Sequence, residues 1–337
     1  MRAWQVPSFG LANLSIADVP DRALGAREVR VRVRAISLNY RDLMMIGGTY
    51  DPRQALPLTP CSDAAGEVIE TGREVTRWKI GDRVLSAFSQ KWSAGTPSHT
   101  KLRATLGGPL PGVLAEHTIL DEDGAWPLPP HLSFEEGATL PCAAVTAWHA
   151  LVDHGRLAAG QRVLVQGTGG VSIFALQIAH LFGAEVIATS KSEHKRARLT
   201  SMGASHVIDY ASDREWGKTV KKLTGNGGVE HVVEVGGAGT MAQSLRAIAI
   251  GGTIHVIGVL AGAVEPLDVR PILMQEVKLS GVVVGPRESA EAMGRAFAHA
   301  KLAPVIDRVF AFDEAPKAFE HMASGNHFGK VVIAGAP

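Results

Sequence analysis

Cysteine is almost missing from this chain of 337 residues, which holds only Cys61 and Cys142. Two thiols cannot build a disulfide framework or a four-cysteine zinc lobe, and the expected setting is a reducing cytoplasm. Long apolar runs are missing too. None approaches the ~20 residues that span a bilayer, and the opening MRAWQVPSFG lacks the apolar segment of a secretory signal, so no membrane partner is expected. Nor does one sign of charge prevail. The 34 Lys and Arg balance 33 Asp and Glu to a net charge of +1, leaving no global field that would draw nucleic acid. Ligand-spaced histidines are absent: none of the 13 forms H-E-x-x-H, and His149 and His154 stand five apart rather than four. What is left is a small-molecule partner.

The composition, 46% hydrophobic and 20% charged, is that of a globular protein long enough for two domains. Its organising stretch runs from Arg162 to Tyr210. A short apolar strand, Arg162–Gln166, leads into Gly167-Thr168-Gly169-Gly170, then a helix-period segment, Val171–Phe182, then Gly183 and a second apolar strand, Glu185–Thr189. Glycines at a strand-to-helix junction let the backbone turn tightly and approach a pyrophosphate, whose charge the helix N-terminus favours. The third glycine of the G-x-G-x-x-G fingerprint is Ser172, but the strand–turn–helix context is the required one. About 20 residues on, an NAD site carries an Asp or Glu for the ribose hydroxyls. Here the chain reads Ala188-Thr189-Ser190-Lys191, with Lys195, Arg196 and Arg198 close behind. Hydroxyls and cations attract a 2′-phosphate that a carboxylate would repel, so NADP(H) is the expected cofactor.

The part before Trp126 is β-rich. Val29–Ile36 alternates valine with arginine, and Ala64–Glu70 and Arg83–Ala87 are further strands. Ser89–Gly112, rich in Gly, Pro and Ser, is expected to be a surface excursion. Pro127, Pro129 and Pro130 mark a boundary, after which Ser133 and Glu136 open a helix at capping-box spacing. Strands at Val207–Ile208, His231–Val235 and Thr253–Ile257 alternate with helices at Trp216–Leu223 and Met241–Ala249, and Lys278–Val284 is expected to be a last buried strand. That alternation predicts a doubly wound parallel sheet. The tail offers a helix, Glu288–Lys301, a strand, Ile306–Phe310, a helix, Asp313–Ala323, and a strand, Lys330–Ala334, which suit a return to the first domain. The predicted domains are 1–128 with 285–337, and 129–284.

Asn39-Tyr40-Arg41-Asp42, Pro60–Gly66, Leu140–Trp148, Gly167–Ser172 and His327-Phe328-Gly329-Lys330 together resemble the medium-chain dehydrogenase/reductase superfamily over essentially the whole chain. The resemblance implies an α/β protein with a GroES-like β-rich catalytic domain and a Rossmann nucleotide-binding domain. Its zinc-dependent alcohol dehydrogenases hold a catalytic zinc with a Cys, the His of a Gly-His-Glu motif and a second Cys. Those places here are Asn39, Cys61-Ser62-Asp63 and Cys142. One thiolate beside an amide and a hydroxyl is a poor zinc site, so no zinc is expected. The chain looks instead like the zinc-free quinone oxidoreductases and enoyl reductases, in which NADPH gives hydride to a quinone or an activated alkene; the alternatives are an alcohol dehydrogenase working without metal, with Asp63 as its base, and a non-catalytic NADPH-binding relative.

By the same resemblance Asn39 faces the nicotinamide ribose and Thr146 stands near the nicotinamide. Gly167, Thr168, Gly169, Gly170, Val171, Gly258 and Lys330 join them as cofactor-binding residues. Ser190, Lys191, Lys195 and Tyr210 belong to the adenosine 2′-phosphate. Tyr50, eleven residues after Asn39, stands where enoyl reductases keep a proton-donating tyrosine, and a phenol suits that role because it stays protonated at neutral pH. Anchoring a loop is the alternative role for Tyr50, and equally for Tyr40. The substrate is expected near Asn39, Tyr40, Tyr50 and Cys142, in a cleft between the domains. Relatives pair through the edge of the nucleotide-domain sheet, so a homodimer is expected.

Overall fold

Two short antiparallel strands, β1 (Arg2–Gln5) and β2 (Ser15–Asp18), open the chain in the computed structural model, which describes residues 1–336. In β3 (Glu28–Ser37) the valine–arginine alternation has the outcome that period 2 demands. Val29, Val31 and Val33 are buried, Arg32 and Arg34 are exposed, and Arg34 reaches Glu67 on the neighbouring strand at 3.0 Å. Then come α1 (Tyr40–Ile46), β4 (Asp63–Thr71), β5 (Arg83–Ser86), α2 (His99–Leu102), β6 (His117–Asp121), β7 (Ala125–Pro127) and α3 (Phe134–Ala138). The expected surface excursion is only partly one. Residues 94–100 are exposed, but Trp92 and residues 104–108 are buried; the arm folds back on itself, with the Gln90 N–H on Ala104 O at 2.8 Å and the Leu106 N–H on Phe88 O at 3.1 Å. Ser133 and Glu136 cap α3 reciprocally, as their spacing predicted.

The helical run after α3 is not an ordinary helix. Leu140–Ala144 and His149–His154 are π-helical, with α4 (Val145–Trp148) between them. A π turn bonds i to i+5, so the five-residue spacing that disqualified His149 and His154 is the one that brings their rings together, with centroids 4.3 Å apart.

Strands and helices then alternate through β8 (Arg162–Gln166), α5 (Gly170–Leu181), β9 (Glu185–Thr189), α6 (Glu193–Ser201), β10 (His206–Ile208), α7 (Trp216–Leu223), β11 (Val229–Glu234), α8 (Ala238–Ala247), β12 (Ile248–Val256), α9 (Arg270–Met274) and β13 (Lys278–Gly281). The six strands pair in parallel in the order β10-β9-β8-β11-β12-β13, a doubly wound sheet. Its central strands are apolar on both faces: Val163, Leu164, Val165, Val186, Ile187, Ala188, Val232 and Val233 are fully buried. β13 corrects an expectation. It is shorter than predicted and its Leu279 is 43% exposed, because it is the sheet's edge and has β12 on one side only.

The tail adds α10 (Arg287–Ala300), β14 (Ile306–Phe310), α11 (Ala315–Ala323) and β15 (Lys330–Ala334). It does return to the first sheet, whose order is β14-β15-β3-β4-β5-β7, with β6 also on β3. Phe310, Phe312, Phe319, Val331 and Ile333 enter the same core as Val29, Val31 and Ile36. The chain thus forms two compact units, Met1–Val145 with the tail from Gly285, and Thr146–Val284. The first unit runs past the prolines at 127–130 because α3 packs on β3 and β4. Among the described residues no helix is long and apolar enough to cross a membrane.

A single carboxylate ties the ends of β8 and β11 to α8. Glu234, fully buried at the end of β11, accepts the N–H groups of Gly236 and Gly237 at 2.9 Å each and the Thr240 hydroxyl at 2.5 Å. Its other oxygen accepts the Gln166 side-chain amide from the end of β8 at 2.7 Å, and the Ser244 hydroxyl from α8. An ion surrounded by donors is stable in a dry interior, whereas an amide there would set its own NH2 against some of them. Glu234→Gln is therefore expected to cost about 2–4 kcal/mol in urea unfolding; an unchanged midpoint would show the charge to be unnecessary.

Candidate active site

The residues expected to meet a nucleotide lie mostly at the ends of β8, β9 and β10. Gly167 has φ of +68°, a left-handed conformation that favours glycine, and its N–H closes on Thr189 O at 2.8 Å. Gly169 is the N-cap of α5, and a Cβ added there would meet nothing within 4 Å. The backbone is thus open on the side that a pyrophosphate would take. Within α5 the Ile173 N–H bonds to Gly169 O, so the N–H groups of Gly170, Val171 and Ser172 precede the ladder. Ser172 explains the missing third glycine. It is buried, and its hydroxyl donates to Gln166 O at 2.6 Å, so a small polar side chain fits where the helix meets the strand. Thr168 is buried, and Val171 is half-buried.

Ser190 follows β9 directly, and its N–H donates to Ile208 O at 3.0 Å, which brings the turn beside Tyr210. Lys191 is exposed, while Lys195 and Tyr210 are half-buried. Ser192 caps α6, accepting the Lys195 N–H. Arg196 is spent on structure: it pairs with Asp209 at 3.1 Å and donates to Ser190 O and Lys191 O at 3.2 and 3.0 Å. Its partner Asp209 is held below the usual carboxylate range, chiefly by the Ala211 N–H. Gly258 must be glycine, since a Cβ there would lie 2.5 Å from Val235 O. Thr146 is buried.

In the first unit, Asn39 precedes α1 and receives two partners. Its N–H donates to the Asp42 carboxylate at 2.8 Å, and its side-chain oxygen accepts from Lys330 Nζ at 2.6 Å. Lys330, the first residue of β15 and 3% exposed, also donates to Leu38 O. Asp63 is fully buried at the start of β4. It accepts the Ser62 hydroxyl at 2.6 Å and the Cys142 N–H at 3.0 Å. Burial raises the Asp63 carboxyl, against the nearby Lys330 charge and the Ser62 bond. Burial also takes Asp42 up to about 7, with Arg41 and the Asn39 N–H opposing. Both thiols are pushed up by burial, Cys61 well above its ordinary value, and the neighbouring Asp63 and Asp42 charges add to it.

Cys61 sits in the left-handed region, φ +70°, at the place of the glycine in Gly-His-Glu. Two glycines make room for that loop: a Cβ on Gly112 would lie 2.4 Å from Cys61 O, and one on Gly107 would lie 2.8 Å from it. Among the described residues, no three His, Cys, Asp or Glu side chains are grouped to hold a metal ion.

Tyr40 and Tyr50 are each 50% exposed. What positions Tyr50 is a residue that sequence reasoning had treated only as part of a motif. The Arg41 guanidinium lies 5.2 Å from the Tyr50 ring centre and 5.0 Å from that of Phe88, and donates to Leu106 O at 3.0 Å and to Gly108 O. Arginine in a strand-to-helix motif gives no sign of this stacking, because its partners lie up to 67 residues away.

Two family models match the chain: an alcohol dehydrogenase GroES-like domain over residues 25–130 and a zinc-binding dehydrogenase domain over residues 170–299. A zinc-type alcohol dehydrogenase-like protein of Schizosaccharomyces pombe is 39% identical, over 94% of this chain and 93% of its own length. Quinone oxidoreductase-like protein 2 of Bos taurus is 29% identical, over 95% of this chain and 89% of its own. The crystal structure of a protein described as an alcohol dehydrogenase of Sinorhizobium meliloti superposes with a TM-score of 0.92 at 41% identity, covering 99% of this chain and 98% of that one. With the GroES-like first unit and the parallel second one, these matches establish that the chain belongs to the medium-chain dehydrogenase/reductase superfamily and is an oxidoreductase.

Proposed function

We propose that this oxidoreductase uses NADPH, without zinc, to reduce a quinone or an α,β-unsaturated carbonyl compound. The observation that carries the cofactor choice is the end of β9. Thr189, Ser190 and Lys191 stand there with no carboxylate of their own, Lys195 follows on α6, and Asp209 nearby is already paired with Arg196. An adenosine 2′-phosphate meets hydroxyls and cations at such a turn. The α5 N-terminus and the open backbone at Gly169 suit the pyrophosphate. The donor set in the first unit supports a reaction without metal, because Asn39 and Ser62 are engaged with Lys330 and Asp63.

When bound, the cofactor supplies the hydride, which for an enone goes to the β-carbon. The protein's tasks are then to hold the acceptor and to supply the proton. Tyr50 is a fitting donor: a half-exposed phenol over a fixed guanidinium, whose charge favours an anion forming next to it. Asn39 has its side-chain oxygen committed to Lys330, and its buried NH2 lies on the side of the Asp63 carboxylate. We also propose a homodimer through the edge of the second unit's sheet. β13 leaves one side of its backbone ladder unpaired, and Leu279 and Val283 are 43% and 48% exposed on that edge segment.

Lys195→Ala is expected to weaken NADPH binding roughly 10- to 100-fold in a fluorescence titration, with NADH changed less than about 2-fold. Equal losses for both nucleotides would remove the 2′-phosphate assignment. Tyr50→Phe is expected to slow turnover of an enone by roughly 100-fold while a two-electron quinone loses little; if neither rate moves, Tyr50 only anchors its loop. Leu279→Lys should convert the dimer to a monomer in light scattering, and a monomeric wild type would end the pairing proposal.

A further inference from the structure

Two of the three places that relatives fill with zinc ligands, Asn39 and Ser62, have their side chains turned here toward other partners. Asn39 accepts the Lys330 ammonium on its side-chain oxygen at 2.6 Å, Ser62 donates its hydroxyl to Asp63 at 2.6 Å, and the backbone N–H of Cys142 donates to the same carboxylate at 3.0 Å. The family description names zinc, and the residues do not fit it. A dication among them would stand against an ammonium already bonded to the first of the three. That ammonium is 3% exposed and takes a second acceptor, Leu38 O, from the end of the same loop. A lysine buried so deeply needs a counter-charge nearby, and so does the fully buried Asp63.

We infer that Lys330 is the resident cation of this pocket, replacing the positive charge of a catalytic metal and forming with Asp63 one charge pair across the Asn39 amide. The inference deepens the metal-free reading above and rests on it. Lys330 is a positioning residue. It fixes the Asn39 amide with its oxygen on the ammonium and its NH2 toward Asp63, and it makes that amide a stronger donor, since a hydrogen bond accepted by the oxygen strengthens one donated by the nitrogen. Asp63, answered by the ammonium, can hold the loop at Cys142 without a metal behind it.

The test uses the full-length protein and the variants Lys330→Met, Lys330→Arg, Asp63→Asn and the double Lys330→Met/Asp63→Asn. Lys330→Met is expected to lower Tm by about 10 °C, because it strands a buried carboxylate. The double variant should lose clearly less than the sum of its two single changes, the signature of a coupled pair, and Lys330→Arg should recover most of the loss. Additive losses, or an arginine variant no better than methionine, would overturn the charge pair. Should Lys330→Met fail to fold, metal binding decides. Wild-type protein dialysed against zinc should retain far less than one ion per chain by mass spectrometry. One tightly held zinc with Lys330 in place would overturn the metal-free reading and this inference together, whereas a zinc-free protein with additive variants would overturn the inference alone.

Discussion

A charge cannot be buried alone, and the first unit is arranged around that constraint. The Lys330 ammonium and the Asp42 and Asp63 carboxylates are all withdrawn from water, and each is answered by hydrogen bonds. The arrangement depends on the return of the tail. β15 must pair with β3 in its register, Val332 opposite Ser37, for its first residue to reach the loop before α1. Asn39 is the meeting point: its backbone starts α1, its N–H satisfies Asp42, and its side chain receives Lys330. The usual capping role of an asparagine side chain is given up for that ammonium.

In the second unit the same principle takes another form. Glu234 gathers donors from β8, from α8 and from the turn between β11 and α8. The histidines show the converse solution, neutrality. Burial takes His255 down to about 3 and lowers His231, whose ring it meets at 3.3 Å. Two imidazoles can therefore lie side by side in the sheet without repelling each other.

Much of this was legible in the residue order. The glycine turn, the strand before it and the helix after it are local, and local chemistry decides them. So is the cationic end of β9. β3 declared its buried face through its valines. What was not legible depended on contacts made at a distance. The Lys330–Asn39 bond joins residues 291 apart, and the Arg41 stack involves Phe88, which no helix or strand period predicts. The π turn defeated a spacing rule that assumes α geometry. The edge position of β13 could not be read from its own composition, because the absence of a neighbour is a property of the sheet. Ser172 was a departure from a motif that the fold accommodates with one hydrogen bond.

The discontinuity of the first unit has a consequence for how the protein is made. A ribosome releases Thr146–Val284 as an unbroken segment, able to close its sheet while the last part of the chain is still being assembled. Residues 35–37 of β3 meanwhile wait for β15. Until translation has passed Ala334, that strand keeps an uncovered margin, and the loop destined to receive an ammonium has none. The chemistry of the first unit is therefore completed only after β15 has been made.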